Sequence, residues 1–280
     1  MAKPNFQGRN VLTLESRRAT ETAALIATYG GRAIVAPALR EVPLESNDEA
    51  QAFASLLLRG AFDITIFLTG VGTRALVVAI EPVVPLTSFT DALARTKVVA
   101  RGPKPLAALR ELGVPVWASA PEPNTWREVV EVVEKKMEGR PLTGLRVAVQ
   151  EYGVPNVDLL SALRERGAEV TSVAVYRWAL PEDTEPLRKA AAALAAGDVD
   201  ALLVTSGIQF VHLWRIVAEM GIETDVRNGL ARVLVASIGP TTSEELRRHH
   251  LTPALEASHP KLGILVREAA ESFGSSKSAV

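Results

Sequence analysis

The sequence predicts an α/β protein of two similar lobes, each a parallel sheet wrapped by helices, and three observations carry that expectation. The first is an internal repeat. Asn10–Glu15 (NVLTLE) returns 136 positions later as Arg146–Glu151 (RVAVQE), and Ile66–Gly70 (IFLTG) returns at the same offset as Leu202–Ser206 (LLVTS). Val98–Pro103 (VVARGP) returns 137 positions later as Val235–Pro240 (VASIGP). An offset this constant marks a duplication, and two facing lobes leave a cleft in which a ligand can sit. The second observation is the alternation of short β-branched runs with longer stretches of helical period. The third is that those runs are apolar throughout, as strands buried on both faces are.

In chain order, Val11–Leu14, Ala33–Leu39, Asp63–Leu68, Lys97–Arg101 and Val114–Trp117 read as strands of the first half. Leu145–Val149, Val170–Val175, Ala201–Thr205, Val233–Ser237 and Ala254–Glu256 are their counterparts in the second. Between them lie alanine- and leucine-rich helices such as Ala19–Tyr29, Pro103–Leu112, Asn156–Arg166 and Ser243–His250. Tyr29-Gly-Gly31 and Arg166-Gly167 are helix stops placed just before strands. Thr125-x-x-Glu128 and Thr242-x-x-Glu245 have capping-box spacing at helix starts. Two segments at equivalent places in the repeat, Ala33–Leu44 and Glu169–Leu180, run too long for their sheets and carry a proline near the end (Pro43, Pro181). Both are expected to leave one lobe and enter the other as a two-stranded linker.

Composition narrows the function classes. A chain of 280 residues with 48% apolar and 22% charged residues buries a sizeable core. Its formal net charge of −1 calls for neither nucleic acid nor an anionic membrane. With no cysteine, disulfides, thiolate catalysis and thiolate metal sites are excluded together, which fits a cytoplasmic protein. The first nine residues show no signal-peptide pattern, no apolar stretch reaches the length of a membrane span, and 272–280 reads as a disordered tail.

In doubly wound sheets ligands bind where strands run into helices. The loops at those places are Glu15–Arg18, Thr69–Arg74, Arg101–Lys104, Glu151–Pro155, Thr205–Gln209 and Ile238–Thr242, and nearly all join glycine to hydroxyl or basic residues before a helix. Helix N-termini favour anions, so such loops suit a ligand with several carboxylates or phosphates. Thr69-Gly-Val-Gly does not complete a dinucleotide fingerprint, because position 75 is Ala, and no phosphate-loop Gly-Lys-Ser/Thr occurs. The four histidines, His212, His249, His250 and His259, are unclustered and read as structural or surface residues rather than metal ligands. Tyr176 stands where the second linker strand leaves its lobe, so its phenol either faces the cleft or fills the core. Tyr152 directly follows a strand. Arg17, Arg18, Arg74, Arg101 and Lys104 are candidate carboxylate partners.

At this point the residues resemble a known family. Duplicated lobes, a two-strand linker carrying Val175-Tyr-Arg177, Thr205-Ser-Gly207 after a second-half strand and Ile238-Gly-Pro-Thr-Thr242 before the next helix are similar to uroporphyrinogen-III synthases. The resemblance runs from about Val11 to Glu271. It implies two flavodoxin-like lobes with parallel sheets, in which the first βα unit belongs with the second half: 1–37 and 176–280 in one lobe, 38–175 in the other. It implies a cytoplasmic lyase of tetrapyrrole (haem, sirohaem, cobalamin) biosynthesis. That enzyme closes the linear hydroxymethylbilane to uroporphyrinogen III with its last ring inverted, losing water and using no cofactor or metal.

Carried over by position, Tyr176 matches the tyrosine proposed to assist hydroxyl departure. Ser206, Gly207 and Ile208, with Thr241 and Thr242, match substrate loops of one lobe, and Gly239 beside them is expected to let backbone N–H groups approach a carboxylate. Thr69, Gly70, Val71 and Gly102 match those of the other; on the residues' own chemistry and placement, Arg17, Arg101, Lys104 and Tyr152 are expected as further substrate contacts. Where many members have a Thr or Ser shortly after the glycine at 102, this chain has Pro103-Lys-Pro105. The implied partners are the bilane itself and transient contact with neighbouring enzymes of the pathway, for a monomer with no nucleic-acid or membrane partner. The other reading of the same lobes is a two-lobed small-molecule binding or sensor protein of the periplasmic-binding type.

Overall fold

The computed structural model describes residues 3–44, 46–151 and 153–274. They divide into two compact units, Met1–Arg40 with Ala179–Val280, and Glu41–Trp178. The chain passes between units at 40/41 and 178/179, three residues beyond the points 37/38 and 175/176 expected from the sequence.

The first unit holds a five-stranded parallel sheet built from β1 (Asn10–Thr13), β2 (Arg32–Val35), β10 (Ala201–Val204), β11 (Leu234–Ser237) and β12 (Leu255–Glu256), in the order β12-β11-β10-β1-β2. The inner strands β1, β10 and β11 are buried almost end to end, because the period of two sends alternate residues to two cores. Leu12, Leu14, Leu202, Val204 and Val235 pack with α8 (Glu185–Ala196), α9 (Gly207–Met220) and α10 (Glu223–Leu230). Val11, Ala201, Leu203 and Ala236 pack instead with Ile26 of α1 (Ala19–Thr28) and with α12 (Leu262–Gly274). The helix α11 (Pro240–Arg248) follows β11.

The second unit repeats this plan with β4 (Ile64–Phe67), β5 (Lys97–Ala100), β6 (Ala118–Ser119), β7 (Arg146–Gln150) and β8 (Glu169–Val173), ordered β6-β5-β4-β7-β8. Phe67, Val98, Ala100 and Ala148 meet α2 (Asp48–Leu58), α3 (Gly70–Ile80), α4 (Leu86–Ala94) and α5 (Pro103–Glu111). Ile64, Ile66, Val99, Val147 and Val149 meet α6 (Trp126–Lys136) and α7 (Val157–Glu165). The short strands β3 (Arg40–Pro43) and β9 (Tyr176–Ala179) form the two-stranded ladder where the chain changes unit.

Several local expectations are corrected. Each long linker segment is two strands rather than one. In the first, Pro37 has no N–H to offer a ladder, and β2 ends at Val35 before β3 begins at Arg40. Val114–Trp117 is not a strand: Pro115 again lacks a donor, and pairing with β5 starts only at the Trp117 N–H, which donates to Val98 O at 2.8 Å. Helix α11 starts at Pro240, not Ser243, because Gly239 is its N-cap and a proline suits the first helical position. Thr242-x-x-Glu245 therefore lies inside the helix and is no capping box. Thr125-x-x-Glu128 is one, with Glu128 Oε2 accepting the Thr125 N–H at 2.7 Å. Helix α12 continues to Gly274, into the segment expected to be disordered, and 275–280 lie outside the described residues. Among the described residues no helix is long and apolar enough to cross a membrane.

Candidate active-site loops

The carboxyl ends of the parallel strands carry the expected loops, and each unit gathers a set of them. In the second unit Thr69 caps α3, its hydroxyl oxygen accepting the Gly72 N–H at 2.9 Å. Among the described residues no acceptor reaches the N–H groups of Gly70 and Val71, the first two helical positions. They are the open donors of that helix. A side chain at Gly70 would stand 2.7 Å from the carbonyl oxygen of Lys104, so the glycine lets the start of α5 lie against the start of α3. Gly72 leaves room for the buried side chain of Gln150, with which a β-carbon there would collide.

The departure at Pro103-Lys-Pro105 has a chemical consequence. Gly102 is the N-cap of α5 and both prolines fall in its first three positions, so Lys104 supplies the only N–H there. Its side chain is exposed, as are Pro103 and, partly, Arg101. This helix start offers one amide and one ammonium, where α3 offers two amides.

The loop after β7 begins with a buried carboxylate. Glu151 is 2% exposed; its Oε2 accepts the Asn156 N–H at 3.0 Å and its Oε1 the Ser172 hydroxyl at 3.1 Å. Burial pushes its carboxyl above the ordinary range, opposed by those two hydrogen bonds and by the charge of Arg101. Gly153, with φ +90°, abuts the indole of Trp178, and any β-carbon there would strike it. Tyr152, between them, lies outside the described residues.

Tyr176 is 7% exposed and belongs to the core of this unit, edge-on to Trp178 at 5.4 Å between ring centroids. It also lines a pocket of ≈ 420 Å³ with Glu41, Val42, Asn47, Val71, Ala75, Val78, Ala79 and Val175. The tyrosine therefore both fills core and faces open space, and the structure brings it to the same pocket as Val71.

In the first unit the start of α9 packs on α11: a β-carbon at Gly207 would sit 2.5 Å from the β-carbon of Glu245. This brings Ser206, Gly207 and Ile208 beside the turn that holds Gly239, Thr241 and Thr242. Gln209, buried and three residues after the cap Ser206, takes the N–H groups of Thr205 (3.0 Å) and Ser206 (3.2 Å) on its Oε1. The N–H groups of Gly207 and Ile208 are left without an acceptor among the described residues. Thr241 is exposed and Thr242 is 5% exposed; next to it Ser243 pairs with Ser237, their hydroxyl oxygens 2.5 Å apart in the core. Arg17 is exposed on the loop after β1, which also carries Glu15.

Sequence reading singled out neither Gln209, Glu15 nor Glu151. Ser206-x-x-Gln209 has capping-box spacing, and Glu15 and Glu151 close the first repeated segment; both signals were legible. His212 is structural: it is buried on α9, and its Nδ1 lies 2.7 Å from Ala38 O, an acceptor-only partner that puts the proton on Nδ1. Among the described residues no group of three His, Asp or Glu side chains could hold a metal ion.

Comparison with known proteins converges on one family. Residues 20–267 match the family model described as Uroporphyrinogen-III synthase HemD. The chain is 30% identical over 244 residues to the putative uroporphyrinogen-III synthase of Methanothermobacter thermautotrophicus, across 86% of this chain and 89% of that one. It is 28% identical over 267 residues to the uncharacterized protein YjjA of Bacillus subtilis, across 95% and 96%. A mutant uroporphyrinogen III synthase of the extremely thermophilic bacterium Thermus thermophilus superposes with a TM-score of 0.72 at 27% identity, covering 95% of this chain and 100% of that one. With a family model spanning most of its length, two parallel five-stranded sheets and the glycine loops at their carboxyl ends, the chain belongs to the uroporphyrinogen-III synthase family.

Proposed function

We propose that this protein is a lyase that converts hydroxymethylbilane to uroporphyrinogen III, inverting the last ring and releasing water, as a cytoplasmic monomer of tetrapyrrole biosynthesis. The observation that carries this reading, beside the family, is the pair of helix starts with open donors, Gly70–Val71 on α3 and Gly207–Ile208 on α9. A bilane with eight carboxylates needs anion sites that cost no buried charge, and open first-turn amides are such sites. The amides of Thr241 and Thr242 on α11 and the Lys104 side chain on α5 extend the set.

The chemistry asks little else of the chain. The pyrrole nitrogen expels hydroxide from the hydroxymethyl carbon, giving a cationic azafulvene. The substituted α-carbon of the last ring attacks that methylene carbon to give a spiro intermediate. Its bond to the neighbouring methylene bridge then breaks to give a second azafulvene. The ring's free α-carbon bonds to that bridge and loses its proton, so the ring is inverted and the net change is loss of one water. No oxidant or reductant enters the balance. The protein's task is to hold the chain in the geometry that inverts the last ring, which is catalysis by orientation and electrostatic positioning. In this proposal Tyr176 donates a hydrogen bond from its phenol to the departing hydroxyl.

The test is direct. The purified protein is incubated with enzymatically made hydroxymethylbilane, the products are oxidised, and the isomers are separated. Isomer III should dominate; formation of the uninverted isomer alone would overturn the reading. The other reading, a binding or sensor protein, predicts that the bilane or another ligand binds without turnover, and the same assay separates the two.

A further inference from the structure

The loop between β10 and α9 is held by a carboxylate from a neighbouring strand. Glu15 stands just past the end of β1, which pairs with β10 in the sheet. Its Oε2 accepts the hydroxyl of Thr205, and Gln209 Nε2 lies 3.5 Å from the same oxygen. Gln209 Nε2 also donates to Thr205 Oγ1 at 2.9 Å, while its Oε1 takes the backbone N–H groups of Thr205 and Ser206. The other Glu15 oxygen accepts the N–H of Arg18, the cap of α1, at 3.3 Å.

An ionised carboxylate only accepts, and that fixes the direction of every bond in this chain. Thr205 must donate to Glu15, so its lone pair is left to accept from the Gln209 amide nitrogen. That nitrogen is thereby turned towards Thr205, and the amide oxygen towards the backbone N–H groups at 205 and 206. Gln209 Oε1 also lies 3.2 Å from Thr205 Oγ1, but the hydroxyl has one proton and the carboxylate is the nearer acceptor. Without the carboxylate, the hydroxyl proton is free to turn to Gln209 Oε1 and compete with the two amides for it.

We propose that Glu15 is a positioning residue for the substrate loop: it sets the polarity of the Glu15–Thr205–Gln209 network, which seats Thr205 and Ser206 and leaves the amides of Gly207 and Ile208 as the donors presented to a substrate carboxylate. Its repeat counterpart Glu151 clamps its own loop through Asn156 and Ser172 and, among the described residues, has no such link to the start of α3, so the device belongs to the first unit. The substrate half of this inference rests on the proposed function.

The experiment compares wild type with Glu15→Ala, Glu15→Gln and Thr205→Val in the full chain, by amide hydrogen exchange and by kinetics with hydroxymethylbilane. In wild type the Thr205 and Ser206 amides should be protected and those of Gly207 and Ile208 fast. Glu15→Ala and Thr205→Val should lose the protection at 205 and 206, and raise KM roughly ten- to hundredfold, with kcat changed less. Glu15→Gln, which still offers a carbonyl to Thr205, should retain most of both. Unchanged protection at 205 and 206 in Glu15→Ala would overturn the clamp, and lost protection with unchanged KM would overturn its role in binding. Wild-type protein inactive on the bilane would overturn the proposed function, while the exchange data would still decide the clamp. If Glu15→Ala fails to fold, Thr205→Val carries the same comparison with the carboxylate in place.

Discussion

At the scale of single residues, the site divides into groups that touch the proposed ligand and groups that hold them. Tyr176 is proposed to be the former. General-acid help is typically worth about 10²–10⁴-fold, and here it should sit at or below the low end because the bilane loses hydroxide readily by itself. Tyr176→Phe should therefore lower kcat clearly with the fold intact and isomer III still forming; full activity with unchanged isomer ratio would leave the ring as packing against Trp178. The glycines separate by what lies behind them. A side chain at Gly207 meets Glu245 at 2.5 Å, so Gly207→Val should destabilise the protein by about 1–3 kcal/mol in urea unfolding. At Gly239 the nearest atom to a new β-carbon is Pro260 Cβ at 3.7 Å, and Gly239→Ser, still a good N-cap, should leave stability within about 0.5 kcal/mol. His212 carries a pH dependence. Burial depresses its pKa, aided by the charge of Arg215 and opposed by the bond to Ala38. Its unfolded value is 6.5, so the unfolded chain binds more protons and stability falls as pH drops below about 6.5, down to the folded pKa. Urea midpoints measured from pH 7.5 to 5 should fall in wild type and fall less in His212→Asn; parallel slopes would count against the assignment.

At the scale of elements, helix starts bear on stability and, in the proposed function, on ligand binding. The reciprocal cap of α6 joins Thr125 Oγ1, which accepts the Arg127 N–H at 3.1 Å, to Glu128. Thr125→Ala should cost about 1 kcal/mol, seen as a fall of a few degrees in Tm, with activity unchanged. An unchanged Tm would mean that α6 is held by packing alone. The strands were legible because burial on two faces writes itself as an unbroken apolar run, as in Ala201–Val204. Val114–Trp117 deceived for the same reason: valines and a tryptophan look like a strand, while the missing donor of Pro115 decides that they do not pair. Caps were legible by spacing only when the first residue truly stood outside the helix. Thr242 has the spacing and lies inside α11, whereas Ser206 and Gln209 have it and stand at a true start. The clamp by Glu15 was not legible at all, because it joins residues 190 positions apart through side-chain direction rather than sequence pattern.

At the scale of the whole molecule, the repeat explains a topology that no single lobe would. Asn10 and Arg146, Arg32 and Glu169, Ile64 and Ala201, Lys97 and Leu234, and Ala118 and Leu255 begin equivalent strands, each pair 136 or 137 residues apart. Each half of the chain gives two strands to one unit and three to the other, so both sheets have the same spatial order while the second unit is a circular permutant of the first. The repeat shows which strands are equivalent but not which share a sheet, since either pairing satisfies the same pattern. This arrangement makes one unit continuous in sequence and the other not, and their folding should differ accordingly. Residues 41–178, about 140 in number, contain a whole sheet with a core on each face, enough to bury roughly two thirds of their surface. Expressed alone, that segment should unfold cooperatively in urea. Residues 179–280 alone should not, because β10 loses its partner β1, and the core of α12 loses Phe6, Val11 and Ile26. Adding a peptide of residues 1–40 should restore cooperative unfolding to 179–280. A folded 179–280 without that peptide, or a molten 41–178, would show that the contact-defined units are not the units that fold.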